Sequence, residues 1–140
     1  MINYGRVLLG GLVAGVVLNA CDYVIGTYIM ASDMQRTAQR LNLDPDRLTS
    51  SATMMTWMAV DLIYGLLIVW TYAAIRPRLG PGPTTAMTAG IVLFLAITSV
   101  VFGFAQMGIF TMDSFIKNAA LSLGAAILAS LAGGAVYKES

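Results

Sequence analysis

The sequence predicts an all-α fold, an antiparallel four-helix transmembrane bundle with an extended helical loop between the first and second spans. Of its 140 residues, 58% are hydrophobic and 11% are charged, whereas soluble domains carry about 25% charged residues. Four stretches almost free of charge each reach the ~20 residues that cross a ~30 Å hydrocarbon core. We therefore interpret residues 1–140 as a single integral membrane domain.

The spans are predicted at about residues 7–30, 53–75, 84–107 and 115–137. Prolines and glycines fill the short segment after the second span, so the chain is expected to turn there and to make the second and third spans neighbours. Short polar side chains satisfy the free amide groups of a helix start, so Thr84 or Thr85 is expected to cap the third span and Asp113 or Ser114 the fourth. Gly108 is expected to end the third span.

The one long connection, residues 31–52, carries charges of both signs and is predicted to be helical. Its first half repeats apolar residues at helical spacing, at Met34, Ala38 and Leu41. The first helix is therefore expected to run on to about Asn42, and the Asp-Pro-Asp sequence at residues 44–46 indicates a new helix start. Such an amphipathic segment would serve either as an interfacial anchor or as an arm that docks a partner.

Composition excludes several classes of function. The net charge is +1, with no run of Lys or Arg that would hold nucleic acid. Histidine is absent and Cys21 is the single cysteine, which removes the usual general base, the usual haem and zinc ligands, and any intrachain disulfide. The nine methionines indicate adaptable packing rather than metal ligation. We therefore expect no enzyme activity, no cofactor and no metal.

Two acids fall inside predicted spans, and they are expected to lie at similar depth. Asp22 and Asp61 each lie about 5 Å from the midplane at ~1.5 Å per residue, on the side of the long loop. A carboxylate facing lipid there costs about 2.5–3.5 kcal/mol, so both are expected to face the bundle interior. If they meet, they would share a proton. The candidate ion or proton site comprises Asp22, Asp61, Asn19, Tyr64, Gln106 and Asn118.

Small residues indicate where helices pack closely, because helices in lipid associate through close contact and hydrogen bonds rather than through the hydrophobic effect. The first span carries Gly11, Gly15 and Gly26 on one predicted face, and the fourth carries Ser122, Ala126 and Gly133. These rows are interpreted as packing surfaces within the bundle, with a dimer interface as the alternative.

The loop-side arrangement resembles a known family. Four short spans, a charged helical excursion after the first, and the sequence Phe-Ile-Lys-Asn-Ala at residues 115–119 resemble a bacterial family of small four-span integral membrane proteins of unknown function. In that family an Asn near the start of the last span corresponds to Asn118. The resemblance implies the bacterial cytoplasmic (inner) membrane and transfers no activity. Small multidrug exporters are a second comparison, from which the long loop and second acid depart.

Orientation rests on a weak asymmetry. The side of the termini would hold four cations, at Arg6, Arg76, Arg78 and Lys138, and the other side would hold Arg36, Arg40, Arg47 and Lys117. The positive-inside counts are equal, and the short loop with two arginines favours cytoplasmic termini.

Two functions remain open from the sequence. The first is association within the lipid bilayer, as an accessory subunit of a larger membrane protein complex or as a self-assembling homo-oligomer. It predicts paired acids and a dry interior. The second is a small proton- or cation-coupled transporter or channel that uses Asp22 and Asp61, and it predicts a water-filled cavity reaching them.

Overall fold

The computed structural model describes residues 2–138, and within them every regular element is helical. The helices are α1 (Tyr4–Val24), α2 (Ala31–Arg40), α3 (Pro45–Leu48), α4 (Ser51–Leu79), α5 (Pro83–Gln106) and α6 (Met112–Val136), and a π-helical segment, Ile25–Ile29, extends α1. Four segments are long and apolar enough to cross a membrane: Tyr4–Ile29, Pro45–Leu79, Pro83–Gln106 and Met112–Val136. The predicted all-α bundle is confirmed.

The four long helices form a ring in which α1 packs against α4 and α6, and α5 packs against α6 and α4. Their contacts give the directions. Gly11 lies against Leu66 whereas Gly15 lies against Leu62, so residue numbers rise along α1 as they fall along α4. Gly90 lies against Ala126, and the α5–α6 pair runs in opposite directions by the same test because Ala86 lies against Gly134. The α1–α4 and α5–α6 pairs are therefore each antiparallel.

The end of the bundle that holds the termini is tightly packed. The rings of Tyr72 and Tyr137 meet edge to face with centroids 5.8 Å apart, and both side chains are buried. The Tyr137 hydroxyl accepts a hydrogen bond from the amide of Asn3 at 3.3 Å, and the Tyr72 hydroxyl accepts one from the amide of Gly82 at 3.3 Å. The guanidinium of Arg76 lies over the Tyr137 ring, 5.6 Å from its centroid. These contacts tie both chain ends to the turn between α4 and α5.

The opposite end, on the side of the long loop, is open. Of residues 51–60 in the first half of α4, only Thr53 is not exposed, so this half-helix has open surface on nearly every side. The last two turns of α5 are similarly exposed, with Ala105 as the buried exception. The bundle is therefore closed near the termini and spread near the loop.

One helix end differs from the expectation because glycine, rather than proline, ends the second span. Helix α4 continues through Pro77 to Leu79, four residues beyond the expected end at 75, since a proline near the last turn removes only one helical hydrogen bond. Gly80 then adopts a φ of 82° and Gly82 a φ of 146°, backbone conformations that favour glycine.

The expected caps of α5 and α6 are also wrong. Gly82, rather than Thr84 or Thr85, precedes α5, and the Thr85 hydroxyl instead donates to the Gly80 carbonyl at 2.8 Å. Thr111, rather than Asp113 or Ser114, caps α6, because its hydroxyl accepts from the Ser114 amide at 3.2 Å. Where several short polar residues adjoin, sequence does not distinguish the one with extended backbone geometry.

The end of α5 follows the prediction. Gly108 adopts a φ of 81°, and the amide of Ile109 reaches back to the Phe104 carbonyl at 3.1 Å, which closes the helix in a Schellman motif.

The long connection is helical but is divided differently from the expectation. The first helix does not run on to Asn42. It breaks at Met30, and α2 begins at Ala31 and ends at Arg40, with Asn42 at a φ of 51° in the left-handed position that follows a helix. Asp44 caps α3 by accepting from the Asp46 amide at 3.0 Å, with Pro45 as the first helical residue, as the Asp-Pro-Asp sequence predicts.

Candidate functional site

The acids are positioned by the closest helix–helix contact in the protein, between α1 and α4. The backbones touch at three glycines: a Cβ on Gly65 would lie 2.5 Å from the Gly11 carbonyl oxygen and 2.7 Å from the Gly15 Cα. No side chain fits there, so the two helices are held at backbone contact. This contact fixes the rotation of both helices, so the next turn of α1 also faces α4.

Asn19 bridges the two helices one turn beyond Gly15. Its side-chain amide donates to the Gly15 carbonyl at 3.0 Å within α1 and to the Met58 carbonyl at 3.3 Å on α4. A backbone carbonyl has a second lone pair, so it accepts this bond without losing its helical partner. The bridge keeps α4 beside α1 just where the bundle begins to spread.

The carboxyl groups of Asp22 and Asp61 approach each other across the α1–α4 contact, closely enough to interact. Side chains lean toward the N-terminus of their own helix, so in an antiparallel pair these two carboxyls lean toward one another. Tyr64 lies half-buried one turn along α4 from Asp61, within electrostatic range of Asp22.

The two acids differ in exposure, which corrects one expectation. Asp61 is 7% exposed, but Asp22 lies exposed on the outside of the bundle rather than facing its interior. The rotation of α1 about its own axis explains this difference. Gly11, Gly15 and Asn19 face α4 directly, whereas Asp22 lies at the edge of the face that they form. The carboxyl of Asp61 is the polar group that lies next to the carboxyl of Asp22.

The other two predicted site residues do not join the pair. Gln106 is exposed at the last residue of α5, which is across the ring from α1, and Asn118 is half-buried near the start of α6. Neither side chain takes part in the hydrogen bonds recorded for residues 2–138. The sequence gives the position of a residue along its helix, but it does not give the order of the helices around the ring, which separates Gln106 on α5 from Asp22 on α1.

Most of the predicted packing residues contact a neighbouring helix, but not all of them do. Gly11 and Gly15 contact α4, Ala126 is buried with its carbonyl against Gly90, and Gly133 lies between Val69 and the backbone of Gly10. Gly26 is the exception, because nothing lies within 4 Å of the position its Cβ would take. It falls in the π-helical segment, whose wider turn rotates it away from the glycine row. Ser122 is half-buried on α6.

A second polar cluster, which the sequence did not reveal, joins α2 to the start of α6. Asp33 is 6% exposed, accepts a hydrogen bond from the Ser114 hydroxyl at 3.0 Å and pairs with Arg36 at 2.6 Å. Its carboxylate lies at the N-terminus of α6, where the helix dipole favours negative charge. The Arg40 guanidinium donates to the Gly108 carbonyl. Helix α2 therefore packs against the end of α5 and the start of α6 in its own chain. The apolar spacing of Met34, Ala38 and Leu41 did not indicate this contact.

Two surface grooves are mainly apolar, and neither is lined by the acid pair. One of about 440 Å³ lies between α1 and α6 and is lined by residues that include Ala20, Cys21, Gly124 and Leu128. The other, of about 190 Å³, lies beside Tyr72 and Gly134 at the closed end. Within residues 2–138, no three His, Cys, Asp or Glu side chains group closely enough to hold a metal ion.

Comparison with known proteins gives no relative: no protein family, curated protein or solved structure matches this chain. The resemblance to a bacterial four-span family therefore stays a prediction.

Proposed function

We propose that this chain is a non-catalytic integral membrane protein that acts through association, as an accessory subunit of a membrane complex or a self-assembling bundle. The observation that carries the proposal is the exposure of Asp22 on the outside of a membrane span. Asp22 lies about 8 Å from the middle of Tyr4–Ile29 at ~1.5 Å per residue, well inside a hydrocarbon layer of about 15 Å half-thickness. A carboxylate is costly in hydrocarbon, and this cost falls when polar groups of another protein cover the carboxylate.

The surroundings of Asp22 suit a protein contact. The α1–α4 register that pairs Gly15 with Leu62 and Asn19 with Met58 places Met55 at the level of Asp22. Asp22, Tyr23, Met55 and Met58 are all exposed, and we call these four residues the Asp22 surface. Unbranched methionine side chains adapt to irregular partners, so they suit a contact surface. The spread of the bundle at this end leaves the surface open to a helix packed alongside α4.

The proposed location is the cytoplasmic membrane of a bacterium, with both termini on the cytoplasmic side. The family resemblance supports the membrane, and the two arginines at the end of α4 support the orientation.

Asp22→Leu is expected to weaken assembly at least tenfold while it leaves the bundle folded. The leucine removes the exposed carboxyl that favours a protein partner over lipid. The measurement is the mass of the protein complex purified from its native membrane in mild detergent, with unfolding followed in parallel. Asp113→Leu, which removes an exposed acid paired with Lys117 at 2.7 Å, is the matched control and should change nothing. An assembly of unchanged mass in Asp22→Leu, or a wild-type protein that is monomeric at every concentration, would contradict the proposal.

The alternative function, proton or cation transport, is favoured by one observation, the approach of an exposed carboxyl, Asp22, to a buried one, Asp61, inside the membrane spans. The same preparation distinguishes it. Under transport, Asp61→Asn would abolish ion flux into proteoliposomes while assembly persists, and under association the wild type carries no flux to lose.

A further inference from the structure

We infer that the partner at the Asp22 surface is a transmembrane helix from a different protein that carries a Lys or Arg at the depth of Asp22. This inference rests on the proposed function and specifies the partner's chemistry. It selects a heteromeric complex over a second copy of this chain.

Asp22 presents a carboxyl on the outside of a membrane span, where an opposite charge on a partner would complement it. Asp61 is enclosed, so Asp22 is the member of the pair that a partner can reach. The side-chain amide of Asn19 already donates to the carbonyls of Gly15 and Met58. The neighbouring Met55 and Met58 side chains have no polar hydrogen to donate. An ammonium or guanidinium group from outside would supply both the opposite charge and the hydrogen bonds.

A second copy of the chain does not bring such a group to that depth. All eight cations of the sequence lie at span ends or in connections: Arg6, Arg36, Arg40, Arg47, Arg76, Arg78, Lys117 and Lys138. The one nearest to a span interior is Lys117, in the second turn of α6, and it is paired with Asp113. Two copies related by a two-fold axis through this surface would instead bring their Asp22 side chains together, and like charges in low dielectric repel.

The shape of the open end fits one added helix. Residues 51–60 of α4 have exposed side chains on nearly every face, so a helix can lie along α4 beside α1 without displacing any packed element. Trp57, 64% exposed, lies within one turn of Met58 and Asp61 on the same stretch. It therefore serves as an intrinsic fluorescence donor for a bound helix.

The experiment uses the full chain in phosphatidylcholine vesicles and three synthetic poly-leucine helices of about 24 residues, long enough to span. The helices carry Lys, Gln or Leu at the depth of Asp22 and an acceptor dye that quenches Trp57. We expect the Lys helix to bind about tenfold or more tightly than the Leu helix, with the Gln helix between them. Asp22→Asn should bring the Lys helix to the level of the Leu helix, and Asp113→Asn should leave its binding unchanged.

Two results would overturn the inference, and they are distinguishable. If the Lys and Leu helices bind equally while the wild-type chain self-associates through Asp22, the partner is a second copy, so the proposed function survives and the basic partner falls. If the helices bind equally and the native complex is also insensitive to Asp22→Leu, both fail.

Discussion

Gly65→Val is expected to separate α1 from α4 and to lower the free energy of unfolding by about 3 kcal/mol or more. A Cβ at this position would lie 2.5 Å from the Gly11 carbonyl oxygen and 2.7 Å from the Gly15 Cα. These are backbone atoms, so no rotamer change in a side chain relieves the overlap. The helices must move apart, and the acid pair and the Asn19 bridge are then lost with the contact.

The measurement is reversible unfolding in detergent, followed by circular dichroism. Gly103→Val is the matched control, because the same side chain enters a helix at a place where nothing lies within 4 Å of the new Cβ. By helix propensity alone it should change the free energy of unfolding by well under 1 kcal/mol, in the stabilising direction, because valine is a better helix former than glycine. Equal stability of the two variants would show that α1 and α4 are not at backbone contact.

Tyr72→Ala is expected to destabilise the closed end by about 3–5 kcal/mol, the range for removing a large buried aromatic side chain. Tyr72 is 4% exposed and packs against the Tyr137 ring and Gly134. Its removal leaves a cavity among α4, α5 and α6 and frees Tyr137. In lipid, this loss of packing contacts is the main term, since burial from water contributes little.

Two variants separate packing from other effects. Tyr72→Phe keeps the ring and loses the hydroxyl bond to the Gly82 amide, so it should cost about 1 kcal/mol. Trp70→Ala removes a larger aromatic residue that is 48% exposed on the same helix and should cost less than Tyr72→Ala. A Tyr72→Ala protein that unfolds at the same denaturant concentration as Trp70→Ala would place the core of the bundle elsewhere.

The fold class was predictable because it depends on quantities that sequence states directly. Charge-free length sets the number of crossings, and the short segments between later spans require neighbouring helices. Helix ends were less predictable. Pro77 was expected to stop α4, but the stop occurs at Gly80, where a positive φ is required. Thr111, Asp113 and Ser114 are all competent caps, and only the backbone geometry selects Thr111.

The presence of two acids inside the spans was predictable from the sequence, but their relative depth and their rotation were not. Counting residues placed Asp22 and Asp61 at one level, whereas the α1–α4 register puts Met55 at the level of Asp22 and offsets Asp61 by six residues, or ~9 Å along the helix axis. Which way each acid faces depends on the backbone contact at Gly65, a residue that the glycine rows of the first and fourth spans did not include. The same limit applies to Asp33, whose contact with Ser114 joins residues 81 positions apart.

The central claim is that the open surface beside Asp22 lies in hydrocarbon when the chain is alone. Nitroxide labels on Ala20→Cys, Tyr23→Cys and Met58→Cys, each in a Cys21→Ser background and in lipid vesicles, test it through collision with oxygen and with a water-soluble nickel chelate. All three positions are exposed. The account predicts high oxygen and low nickel accessibility at all three labels. Nickel accessibility equal to that of a label at Asn42 in the long loop would show water at the acid pair and would contradict it.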